Sequence, residues 1–143
     1  MRVLVGTSGY SYKEWKGTFY PDDLPAATML SYYADRFDTV EINNTFYRLP
    51  ESTTFAAWRE RAPVDFLYAI KASRFITHLK RLRDPEEPAT RLFERACQLA
   101  GTLGPVLYQL PANFHCDLNR LDDFLAVLPR TLGEINGTPA DRK

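Results

Sequence analysis

Apolar residues fall along this chain in short clusters, and the spacing within each cluster changes from strand-like to helix-like four times. Val3-Leu4-Val5 is a brief apolar run followed by Gly6-Thr7-Ser8-Gly9, which reads as a strand stopped by a turn. A long aromatic loop leads to a helix over residues 26–37, where Leu30, Tyr33, Ala34 and Phe37 share one face. The β-branched run Thr39-Val40-Glu41-Ile42-Asn43 is the second strand. Ser52 or Thr53 then caps a helix that carries Phe55, Trp58 and Ala62 on one side.

Residues 66–71 form the third strand. Asp84, Pro85 and Glu87 mark the start of a helix whose stripe is Leu92, Ala96, Leu99, Ala100 and Leu103, ended by Gly104-Pro105. Residues 106–110 form the fourth strand, halted by Pro111. Asp117 caps the last helix, with Leu121, Phe124, Leu125 and Leu128 on its buried face. Four strand–helix alternations imply an α/β fold with a parallel sheet, because each strand must return through a right-handed crossover. The expected organisation is one unit over residues 1–132, a half barrel of about four strands, and a polar, disordered tail over residues 133–143.

Side chains alternate across a strand, so parity sorts them. Val40 and Ile42 oppose Thr39, Glu41 and Asn43; Phe66, Tyr68 and Ile70 oppose Leu67, Ala69 and Lys71; Val106, Tyr108 and Leu110 oppose Leu107 and Gln109. Each strand has one bulky apolar face suited to helices and one face that turns polar towards its C-terminal end. Parallel β/α folds place their sites at that end. If the polar faces converge, Glu41, Asn43, Lys71 and Gln109 line one cavity. Glu41 would then act as acid/base and Lys71 as cation or amine, although a structural Glu41–Lys71 ion pair between adjacent strands explains the same residues. The Gly6–Gly9 turn puts Thr7 and Ser8 at the mouth, where backbone N–H groups suit an anion; a plain tight turn also accounts for it. The aromatics Tyr10, Tyr12, Trp15, Phe19 and Tyr20 either stack a sugar or base or form a packed loop.

Composition narrows the partners. The 143 residues carry 18 basic and 18 acidic side chains, so no global field draws nucleic acid or an anionic membrane. A local basic run does exist: Lys71, Arg74, Lys80, Arg81 and Arg83, uninterrupted by acid until Asp84. It suits phosphate or a nucleic-acid backbone, or is a solvated surface. His78 lies in this run and could bond a phosphate. His78 and His115 are the only histidines and lie on different loops, and Cys97 and Cys116 have no zinc spacing, so no metal site or cofactor is expected. No apolar run reaches the roughly 18–20 residues of a membrane span, and no export signal is evident, which points to the cytoplasm.

Several stretches also carry a resemblance. Gly6-Thr7-Ser8-Gly9-Tyr10, Trp15 with Phe19-Tyr20-Pro21, Val40-Glu41-Ile42-Asn43-Asn44-Thr45-Phe46-Tyr47, Ala69-Ile70-Lys71-Ala72-Ser73 with Ile76-Thr77-His78, and Tyr108-Gln109-Leu110-Pro111 follow one another in order. Together they resemble the YecE-like family, also called domain of unknown function 72; Ala112 departs from it, standing where the family often has a second proline. The resemblance implies a TIM-type barrel of which this chain covers the first half, and it assigns no reaction. The expected function is therefore an enzyme-like barrel holding a small anionic or phosphate-bearing ligand at its mouth. The alternatives are a nucleic-acid-binding module using the 71–83 run, and a truncated, non-functional fragment. An isolated half barrel is expected to self-associate through its open edges.

Overall fold

The computed structural model describes residues 3–130; the expected disordered tail lies outside the described residues. Its framework is four parallel strands in the order β1-β2-β3-β4: β1 (Gly6–Ser8), β2 (Thr39–Ile42), β3 (Leu67–Lys71) and β4 (Leu103–Leu107). Each pairs with the next in chain order, and the connections carry α1 (Met29–Ala34), α2 (Asn44–Tyr47), α3 (Ser52–Glu60) and α4 (Glu86–Ala96), with α5 (Leu118–Ala126) after β4. This is the half barrel that the alternation implied.

Parity decides which face holds the core. Val40, Ile42, Tyr68 and Ile70 are all buried and pack beneath the helices with Leu30, Tyr33, Phe55, Trp58, Leu92 and Ala96. Burying one such side chain contributes about 1.5–3 kcal/mol, so this layer is the main source of stability. On α4 the buried residues are Ala89, Leu92, Phe93 and Ala96, the three-and-four spacing of a single stripe. Thr39, Glu41, Leu67, Ala69 and Lys71 point the other way and are only half-buried. That second face is open.

The ends of the sheet differ from the sequence reading. β1 begins at Gly6, so the residues read as a turn are the strand, and Val3 and Val5 are exposed before it. Gly6 is required there: a Cβ would sit 2.1 Å from the Thr39 carbonyl oxygen, inside any tolerable contact. β4 begins at Leu103, three residues before the expected start, and contains Gly104-Pro105. A register shift between Tyr68 and Ile70 accommodates it, which is how an edge strand admits proline.

The helices shift as well. The expected helix over 26–37 is one 3₁₀ turn, Ala26–Thr28, followed by α1, which ends at Ala34. Ser52 is the first residue of α3 and makes no capping bond, since the preceding residue, Glu51, is the extended one. α4 starts at Glu86, because Asp84 has a φ of 43° that no helix accepts. Pro88 fits its first turn, where backbone N–H groups have no intrahelical acceptor. Asp117 does cap α5, accepting from the Arg120 N–H at 3.0 Å. The buried face of α5 is narrower than expected: Phe124 packs edge-on against Tyr108 with ring centroids 4.9 Å apart, whereas Leu121 and Leu125 are exposed.

The aromatic loop belongs mostly to the wall. Tyr20 is buried, and Phe19 lies edge-on to Tyr32 and Tyr33 of α1 at 5.7 and 6.1 Å. Trp15 packs edge-on against Phe19 at 5.6 Å. These three rings are committed to packing, which leaves Tyr10 and Tyr12 nearer the strand ends.

Candidate functional site

Strand register brings the first polar pair together. Ser8 stands opposite Glu41, and its hydroxyl donates to Glu41 Oε1 at 3.0 Å. Just past the end of β2, Asn43 Nδ2 donates to Ser8 Oγ at 2.5 Å. The result is a short hydrogen-bonded run, Asn43 to Ser8 to Glu41, on the open side of the sheet. It leaves the second carboxylate oxygen of Glu41 without a bond in this run. The Ser8 carbonyl oxygen is held in turn by the hydroxyl of Tyr12.

Thr7 faces the other way, as alternation requires. Its hydroxyl donates to the Gly9 carbonyl at 2.6 Å and lies 2.9 Å from the hydroxyl oxygen of Tyr33. The same Tyr33 oxygen accepts from the Thr7 N–H at 2.8 Å and donates to the Thr39 carbonyl at 3.0 Å. A buried phenol from α1 therefore ties β1 to β2 at the level just below the Ser8–Glu41 contact. Gly9 N–H closes the seam above it, donating to the Glu41 carbonyl at 2.8 Å.

Lys71 lies further along. Register sets Glu41 against Ala69 and Lys71 against Leu107, so the two charged residues share a face but stand one alternation apart. Among the described residues no ion pair joins them. Lys71 instead places its ammonium 5.0 Å from the ring centroid of Phe46 on α2, an attraction to the ring face. His78 meets the same ring edge-on at 5.1 Å. Phe46 thus links the amine and the imidazole.

Two local devices hold this second group. Thr45 is buried, and its hydroxyl lies 2.8 and 2.7 Å from the carbonyl oxygens of Ile42 and Lys71, which locks the tops of β2 and β3 together. His78 sits in a π-helical turn, Phe75–Leu79, of the kind often found at functional sites. Its Nδ1 lies 2.9 Å from the hydroxyl of buried Thr77, a contact that does not involve Nε2.

Gln109 does not join these residues through a strand. β4 stops at Leu107, and Gln109 is exposed in the segment towards α5. The basic run is likewise divided. Lys80 pairs with Asp84 at 3.0 Å, and Arg81 donates to the Asn113 carbonyl at 2.7 Å with its guanidinium 5.5 Å from the Phe114 ring. Arg74 and Arg83 are exposed. Among the described residues, no cluster of three or more histidine, cysteine, aspartate or glutamate side chains is arranged to hold a metal ion. Nor, among the described residues, is any helix long and apolar enough to cross a membrane.

Beside Asn43 the surface dips into a cavity of about 210 Å³ bordered by Tyr10, Tyr12, Ile42, Asn43, Asn44 and Trp58. Burial pushes the Tyr10 phenol above its ordinary value, although its hydrogen bond with Trp58 and the charge of Arg61 act in the opposite direction. Parity exposed Glu41 and Lys71 in the sequence. It missed Phe46, Tyr10 and Trp58, which reach the site from loops and helices; the Asn44-Thr45-Phe46-Tyr47 stretch, noted for its resemblance, was the available signal for Phe46.

Comparison with known proteins adds a lineage. Residues 4–135 match the family model described as protein of unknown function DUF72. The chain is 33% identical over 135 residues to the UPF0759 protein YecE of Escherichia coli K12, covering 94% of this chain and 46% of that one. It is 24% identical over 121 residues to the UPF0759 protein YunF of Bacillus subtilis, covering 80% and 42%. A solved DUF72 family protein of Thermotoga maritima superposes with a TM-score of 0.73 at 31% identity, over 88% of this chain and 52% of that chain. One from Enterococcus faecalis gives 0.64 at 20% identity, a likeness of fold. The chain spans about half the length of the curated relatives it matches.

Proposed function

The chain belongs to the DUF72 family, and we propose that it holds a small anionic ligand at the C-terminal ends of its strands, with Glu41 as proton acceptor. The supporting observation is the pair of groups on adjacent strand ends: the Asn43–Ser8–Glu41 run, and Lys71 with His78, both against the ring of Phe46. Adjacent strands lie ~4.8 Å apart and Lys71 stands two residues, ~6.6 Å, beyond the position opposite Glu41, a separation of roughly 8 Å between their backbones that one small molecule spans. Lys71 supplies a compact cation with three donors, and His78 Nε2 adds a further polar contact. Glu41, oriented by Ser8, faces the same ligand from β2 and takes a proton from a ligand O–H, the electron pair staying on the ligand oxygen beside Lys71.

Lys71 has this role because it makes no ion pair within the described residues and is held by a ring, an arrangement that keeps its charge available. The nucleic-acid reading draws less support, since Lys80 and Arg81 of the basic run are spent on neighbours within the chain.

Calorimetric titration with inorganic phosphate tests the reading. Phosphate is expected to bind, and Lys71→Met to weaken it about tenfold, equivalent to ~1.4 kcal/mol, while the melting temperature stays near that of the parent chain. Lys71→Arg is expected to keep part of the affinity. Equal phosphate affinity in the parent and Lys71→Met, or no binding by either, overturns the proposal.

A further inference from the structure

The geometry points to a monosaccharide ring as the part of the ligand that lies in the cavity beside Asn43, so that the ligand is a phosphorylated sugar. This inference rests on the anion reading above and adds the substrate class. Asn43 carries the argument, because it belongs to both places. Its carboxamide donates to Ser8 in the Glu41 run, and it borders the cavity at the top of the β1–β2 seam.

The cavity has the chemistry of a sugar subsite. Its floor and sides are Tyr10, Ile42, Trp58 and Tyr12, and Tyr12 is the ring among these aromatics that faces solvent most, at 38% exposure. A sugar presents a C–H face that packs on an aromatic surface and a rim of hydroxyls. Asn43 and Asn44 supply that rim with two carboxamides, each able to donate and to accept. At about 210 Å³ the space is below the roughly 300–1,000 Å³ of sites for drug-sized ligands, which suits one ring with its substituents.

Position agrees with chemistry. β2 ends at Ile42, opposite Ile70, and Lys71 follows on β3; Ile42 faces the helices and Lys71 the open side, so the cavity and the ammonium flank neighbouring strand tops from the two faces of the sheet. A sugar seated against Tyr12 meets Asn43 at the rim, and its phosphate passes over the end of β2 to Lys71 on the open face.

The test titrates the full chain with three probes, inorganic phosphate, glucose 6-phosphate and methyl glucoside, with uridine monophosphate as the control for base stacking. Glucose 6-phosphate is expected to bind at least tenfold tighter than phosphate. Asn44→Ala is expected to erase that increment and leave phosphate affinity unchanged, and Tyr12→Ala to erase the increment as well. Tyr12→Phe, which keeps the ring and loses the hydroxyl bond to Ser8, is expected to retain it. If glucose 6-phosphate binds no tighter than phosphate, the sugar subsite is wrong and the anion site stands. If methyl glucoside binds and phosphate does not, the anion site is wrong and the sugar subsite stands. A gain with uridine monophosphate equal to that with glucose 6-phosphate overturns the sugar assignment in favour of a base.

Discussion

Gly6→Ala is expected to destabilise the chain by about 3 kcal/mol, the upper end for forcing atoms into filled space. The added methyl would meet the Thr39 carbonyl oxygen at 2.1 Å and its carbon at 2.8 Å. Both belong to the backbone of β2, which is fixed on its far side by β3, so β1 has to move. Because Ser8 is two residues along the same strand, its contact with Glu41 is expected to lengthen. The measurement is the urea midpoint together with hydrogen exchange at Gly9, whose N–H bonds the Glu41 carbonyl. Gly101→Ala is the control, since nothing lies within 4 Å of the added methyl. A Gly6→Ala protein as stable as Gly101→Ala would show that the β1–β2 seam is looser than described.

Tyr33→Phe acts on the same seam from the helix layer and is expected to cost about 2–3 kcal/mol. Tyr33 is fully buried, so water does not replace its hydroxyl. Removing that oxygen takes away two hydrogen bonds, one from the Thr7 N–H and one to the Thr39 carbonyl, at the point where register pairs β1 with β2. The stacked contact with Phe37, centroids 4.8 Å apart, survives the change, so the loss reports the hydroxyl rather than the ring. Faster exchange at Thr7 with unchanged exchange in β3 is the expected pattern. Uniform acceleration across the sheet would instead mean that the phenol supports the core as a whole.

What the residues disclosed in advance follows a physical division. β2 and β3 are interior strands of the sheet with one buried face, so alternation marked them almost to the residue. β1 and β4 are edges. There Val3 and Val5 look like strand but stay exposed, while Gly6 and Pro105 look like breaks yet sit in the ladder. Apolar runs report burial, and an edge strand is defined by hydrogen bonds that leave little trace in composition. The site shows the same limit. Parity states which way Glu41 and Lys71 point, but only register reveals that Glu41 meets Ser8 while Lys71 is one step higher beside Phe46. Gln109 lies two residues beyond Leu107, where β4 ends, so strand alternation does not fix its direction. The aromatic loop held two roles in one composition: Phe19 and Tyr20 serve the wall, and Tyr12 the rim.

The central claim is that Ser8, Glu41, Asn43, Lys71 and His78 form one binding face, and amide chemical-shift mapping during a phosphate titration tests it most directly. The account predicts saturable shifts concentrated at residues 8–12, 41–46 and 71–78, absent in Lys71→Met. Shifts confined to Arg74, Arg83 and other exposed cations, unchanged by Lys71→Met, would contradict it.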